Sequence, residues 1–158
     1  MKYLILMFSF IILSCSENNP TPVNHFSVDA KLRIYLKDID GMNLLNSPNY
    51  QSANFRIYNE INGQLVEVFN PQSDTPRNFS IDNATNPISM VLYMNYLPTQ
   101  PSAKTYIKWN ETDTDTIKTS YIQNSSYAKC IAIWLNDELV WDSTIPQPIS
   151  GREVEITK

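Results

Sequence analysis

Glycine is scarce in this chain, with three in 158 residues. Gly41, Gly63 and Gly151 follow Asp40, Asn62 and Ser150, so each is expected in a turn and none interrupts a strand-like run. Histidine is scarcer still. The single His25 lies near the N-terminus, which leaves the rest of the chain without the base that a Ser-His-Asp or Cys-His arrangement needs. A zinc site built on His and Cys runs out of ligands for the same reason. Basic residues are few and scattered: twelve Lys and Arg against sixteen acids give a formal charge of −4 and a pI near 4.9. No basic stripe is present to release counterions from phosphates, so nucleic acid is excluded as a partner. Long apolar runs are confined to one, Tyr3 to Leu13, which is shorter than the ~20 residues of a spanning helix.

That run has a place in a pattern. Met1-Lys2 supplies a positive start, the apolar segment follows, and Ser14 is small, which is the order of a secretory signal. A buried core helix is the competing reading, and the N-terminal position followed by a polar segment argues against it. Ile12-Leu13-Ser14-Cys15 resembles the lipobox of bacterial lipoproteins: an aliphatic residue, then two positions later a small residue and an obligatory Cys. The resemblance implies cleavage between Ser14 and Cys15 and a diacylglyceryl group, with a further acyl chain, on Cys15. Two or three acyl chains give a lasting anchor where one gives only marginal attachment. Ser16-Glu17-Asn18-Asn19-Pro20-Thr21-Pro22-Val23-Asn24 then reads as a solvated tether. Residues 1–14 are thus expected as signal peptide, 15–25 as lipidated Cys and tether, and 26–158 as one domain. Ser16 lacks the Asp that commonly marks inner-membrane retention, so the outer membrane is favoured, facing the periplasm or the outside.

Acylation of Cys15 would leave Cys130 without a disulfide partner. Cys130 lies in the apolar run Tyr127 to Leu135 and is expected to be buried and inert.

Everything after the tether reads as β. Val28, Ala30, Leu32, Ile34 and Leu36 alternate with polar residues, predicting one strand over residues 28–37 with a single buried face. Phe55 to Tyr58 and Leu65 to Phe69 flank Asn62-Gly63 and predict a tight hairpin. Thr105 to Trp109 and Asp115 to Ile122 predict a second. Ile88 to Tyr96 and Tyr127 to Leu135 are apolar on both faces, as central strands are. Leu139 to Trp141 and Glu153 to Ile156 complete about eight strands, and no helix longer than a turn is expected, with Met42 to Asn46 as the exception. Paired prolines at Pro71 and Pro76, Pro98 and Pro101, and Pro146 and Pro148 mark longer loops. The pattern predicts an all-β, antiparallel β-sandwich with Greek-key or immunoglobulin/transthyretin-like order. Leu36 to Leu45 with its Asp38-Ile39-Asp40-Gly41 turn, followed by a strand and Asn62-Gly63, looks like the opening of carboxypeptidase-regulatory-like or transthyretin-like domains. That likeness speaks to fold and not to ligand.

Candidate sites are few. Asp38-Ile39-Asp40-Gly41 has the spacing of a calcium loop's start, yet Leu36 and Ser47 fall where its first and twelfth ligands belong, so a self-bonded Asx turn is expected. Asp113 and Asp115 project to the same side of an extended chain and are the weak candidates for a cation. Trp109, Tyr106 and Trp141 are the candidates for stacking on a sugar ring, with a core role as the alternative for each. No cofactor is expected beyond the covalent lipid on Cys15. The functional expectation is a non-catalytic, lipid-anchored envelope module whose partners are the membrane, through the anchor, and an envelope protein or a glycan. Carbohydrate capture is the alternative, and a small hydrolase using two of the sixteen acids is the third reading.

Overall fold

The computed structural model describes residues 26–45, 47–145 and 151–158. The segments expected as signal peptide and tether, with Ser14 and Cys15, and the expected Pro146–Pro148 loop lie outside the described residues. Eleven strands are described: β1 Ser27–Asp29, β2 Lys31–Lys37, β3 Arg56–Ile61, β4 Gln64–Glu67, β5 Phe79–Asp82, β6 Ser89–Tyr93, β7 Ser102–Lys108, β8 Thr114–Gln123, β9 Tyr127–Leu135, β10 Glu138–Asp142 and β11 Glu153–Thr157. They form two sheets. The first runs β1-β9-β8-β7-β3-β4, with β10 also on β9; the second runs β11-β2-β6-β5. The two sheets pack as an all-β sandwich.

Period-2 alternation decides which side chains meet between the sheets. Leu32, Ile34 and Leu36 of β2 and Met90 and Leu92 of β6 are fully buried from one side, and Ile57, Ile107, Ile117 and Ile133 from the other. Each such side chain contributes about 1.5–3 kcal/mol on leaving water. The two expected hairpins form. Asn62 and Gly63 have φ of 52° and 76°, the left-handed pair that a two-residue β3–β4 turn requires. Asn136 and Asp137 do the same between β9 and β10, with φ of 47° and 69°.

Four features differ from expectation. The run over residues 28–37 is two strands that part at Ala30. β1 pairs with β9 in the first sheet while β2 pairs with β6 and β11 in the second, which leaves Val28 at an outer edge and 44% exposed. Both β1·β9 and β11·β2 are parallel, so the sandwich is mixed rather than wholly antiparallel. β5 adds an edge strand that is not among those expected from the sequence; Phe79 and Ile81 supply its inward face. Residues 42–45 are not helical. Asn43 bridges to Lys37, its Oδ1 accepts from Leu45 N at 2.8 Å, and its Nδ2 donates to Ile88 O at 2.6 Å. These bonds tie the segment to β2 and to Ile88 in place of helical bonding, and the only helical turn among the described residues is a short 3-10 segment, Ser52–Asn54.

The Asp38 turn forms as expected. Asp38 Oδ1 accepts from the backbone N–H of Asp40 at 3.0 Å and of Met42 at 2.8 Å, which spends the carboxylate on its own loop.

Candidate functional site

The β7–β8 hairpin places most of the chemistry in the domain at one end of the sandwich. Alternation along β7 continues past its last residue, so Trp109 points inward after Ala103, Thr105 and Ile107. Along β8 the inward set is Asp115, Ile117, Thr119 and Tyr121. An aspartate on that face must find partners, because burying an unpaired charge is costly. Asp115 has three: Trp109 Nε1–H donates to Oδ2 at 2.6 Å, Asn136 Nδ2 donates to Oδ1 at 2.7 Å, and Lys158 Nζ lies 2.7 Å from Oδ2. Asn136 comes from the β9–β10 turn, where its Oδ1 also accepts from Thr116 N at 2.8 Å.

Lys158 follows β11 and extends its ladder, donating its N–H to Lys37 O at 2.9 Å. Its side chain enters between the two carboxylates and also donates to Asp113 Oδ1 at 2.7 Å. Asp113's other oxygen accepts from Tyr50 O–H at 2.9 Å. Burial works to lower the Lys158 pKa, but the hydrogen bonds to Asp113 and Asp115 outweigh it, and the value lies above the ordinary 10.5. Burial, reinforced by the bond to Asp113, raises the Tyr50 phenol. Asp113 and Asp115 therefore do meet, as their spacing predicted, but around an ammonium. A metal ion there would have to displace Lys158, and no group of three His, Cys, Asp or Glu among the described residues is placed to hold one. With all four carboxylate oxygens engaged, the cluster works as a brace that joins β8, the β9–β10 turn, the segment after β11 and the Tyr50 loop.

Outside the brace the surface is open. Two adjoining hollows of about 610 and 330 Å³ share Asn54, Asn110 and Glu111. Asn49 and Tyr50 line the first, Arg56 and Lys108 the second. Arg56 and Lys108 stand opposite each other on β3 and β7, and Tyr58 and Tyr106 are opposite two residues further on, hence on the same outer face.

The three aromatic candidates separate. Trp109 is 0% exposed and packs edge-on against Phe55, with centroids 5.0 Å apart, so it is corrected from sugar platform to core residue. Trp141 is half-buried against the core, and the Arg152 guanidinium lies over its ring at 5.5 Å, which covers one face. Tyr106 remains on the outer face, half-buried, with its O–H donated to Glu60 Oε2 at 2.8 Å. Burial first, then that hydrogen bond, raises its pKa. Sequence reasoning missed Tyr50, Asn136 and Lys158 as partners of the Asp pair. The inward position of Asp115 was the one local signal that such partners had to exist.

Cys130 is buried, and burial pushes its thiol pKa up, as befits an inert core residue.

No family model, no curated protein and no solved structure matches this chain.

Proposed function

We propose that this protein is a non-catalytic binding and assembly module of a bacterial envelope, held at the outer membrane by lipid on Cys15. The observation that carries the binding role is the β4 edge. β4 pairs with β3 on one side only, and all four of its residues are exposed. Leu65 is 56% and Phe69, just beyond, 61% exposed, with Val66 and Ile61 beside them. A short unpaired edge with apolar side chains is suited to receiving an extended strand of an envelope partner, whose main chain would supply the hydrogen bonds. The non-catalytic reading is supported by the carboxylate pair, whose oxygens are spent on structural partners.

The test is made in intact cells. A photo-crosslinker at Leu65 is expected to give one discrete adduct that disappears when Val66→Lys puts a charge on the edge. Absence of an adduct, or one indifferent to that charge, sinks the reading. The anchor is tested separately with labelled palmitate, where label persisting in Cys15→Ala overturns it.

A second reading, glycan capture, is favoured by one specific observation: the amide-lined hollows lead onto the Tyr58–Tyr106 pair.

A further inference from the structure

The brace described above fixes one wall of a groove whose lining has a particular chemistry. Tyr50 is held by Asp113, and Asp113 by Lys158, so the ring at the groove's inner end is fixed before any ligand arrives. Asn110 is fixed as well, its Oδ1 accepting from Thr112 N at 3.0 Å and Thr112 Oγ1 at 3.2 Å. By contrast, the side-chain amides of Asn49 and Asn54, both exposed, make no hydrogen bond among the described residues. Each offers a paired donor and acceptor.

Charge along the groove is balanced. Arg56 and Lys108 share the second hollow with Glu111, Asp113 lines the first, and each cation already has an anion: Lys108 Nζ donates to Glu111 Oε2 at 2.8 Å, and Arg56 Nε lies 3.5 Å from Glu67 Oε1. An anionic ligand would meet carboxylates and a cationic one would meet a guanidinium, so neither sign is favoured. A greasy ligand would find a wall made largely of amides and ions. What fits is a neutral molecule that both donates and accepts along its length and carries apolar patches for stacking. The Arg56–Lys108 rung passes directly to the Tyr58–Tyr106 rung on the same face, about 7 Å further along the strands. We infer that the amide groove and the Tyr58–Tyr106 rung together form a binding site for a neutral oligosaccharide, with Asn49 and Asn54 bonding hydroxyls and the tyrosine pair stacking on sugar rings.

This inference rests on the glycan-capture reading and gives it a location. The full lipidated chain in detergent micelles is titrated with cellohexaose, maltohexaose, mannohexaose and xylohexaose, with a trigalacturonate as the anionic comparator, and binding is followed by saturation-transfer NMR. At least one neutral hexaose is expected to bind, and more tightly than the anionic one. Asn54→Ala is expected to weaken that binding about fivefold and Tyr106→Ala about tenfold, the size of one hydrogen bond and one aromatic contact. Tyr106→Ala also removes a partner of Glu60, so Asn54→Ala, whose side chain braces nothing among the described residues, is the deciding variant. No binding by any neutral hexaose overturns the inference, as does tighter binding of the anionic oligomer or an unchanged affinity in Asn54→Ala. The Leu65 crosslink, scored in the same variants, separates failure here from failure of the assembly reading.

Discussion

Lys158 Nζ lies 2.7 Å from Asp115 Oδ2, a charge pair in which the lysine side chain is 16% and the aspartate 4% exposed. Because Asp113 takes the same ammonium, one lysine compensates two carboxylates. Lys158→Met keeps the apolar stem and removes the charge, which leaves Asp115 buried with only neutral donors. The expected cost is about 3 kcal/mol, measured by urea unfolding, in line with removing one partner of a buried pair. A loss under ~0.5 kcal/mol would show that the pair is solvated. The alkaline limb carries a second signature. The folded pKa lies above the ordinary 10.5, so this contribution is complete below 10.5 and is lost as pH rises through the higher folded value. Lys158→Met should flatten that limb.

Tyr121 sits across the core, its O–H donated to Asn95 O at 2.8 Å, while Asn95 N donates to Thr105 Oγ1 at 2.8 Å. Burial pushes the Tyr121 phenol up to about 12. Absorbance titration at alkaline pH should therefore show a late tyrosine step that Tyr121→Phe removes. Since the folded value is above the unfolded one, Tyr121 stabilises the fold below pH 10 and ceases to do so as pH rises through about 12. An unchanged late step in Tyr121→Phe assigns it to another residue.

The β9–β10 turn holds Asp137 at φ 69°, a conformation costly for a side-chain-bearing residue. Asp137→Gly relieves it and should raise stability by about 0.5 kcal/mol, read as a higher urea midpoint. The neighbouring Asn136→Gly should do the opposite, because it also removes the Nδ2 donor to Asp115. If both changes act alike, the turn's strain and not its hydrogen bonds sets the outcome.

Thiol counting addresses the anchor and the core together. Cys130 is buried and its thiol pKa raised, so it should resist maleimide in the native protein and react on unfolding. In denaturant, the full chain from bacteria should label once if Cys15 carries a thioether-linked lipid. Two labels per chain would mean that Cys15 is a free thiol.

The parts of this fold that could be read from sequence are those written in nearest neighbours. Asn62-Gly63 specified its hairpin because only a residue tolerant of positive φ suits that turn, and the Leu32-Ile34-Leu36 alternation specified a buried face. What stayed illegible is settled at a distance. Nothing between Val28 and Lys37 announces that the chain changes sheets at Ala30, since both halves keep one alternation. Asp113 and Asp115 were visible as a pair, but the ammonium that joins them comes from Lys158, and the spacing that suggested a cation was answered by a side chain. Trp109 carried the opposite lesson: its inward register, following Ala103, Thr105 and Ile107, already placed it in the core.

The parallel pairing of β11 with β2 has a consequence for how the domain is made. Lys37 and Glu155, whose side chains form an ion pair diagonally across it, are 118 residues apart. A hairpin such as β3–β4 closes as soon as both arms exist, whereas this ladder must wait for nearly the whole domain to emerge and then bear the entropy of a long closure, which grows by about 0.6 kcal/mol with each doubling of the loop. Topologies dominated by such distant contacts fold slowly. Until β11 arrives, β2 presents one unpaired edge and Asp115 lacks its cation. A chain made from its N-terminus would thus keep this edge open through most of its synthesis and close it in a late step, when the strand and the lysine that follows it arrive together.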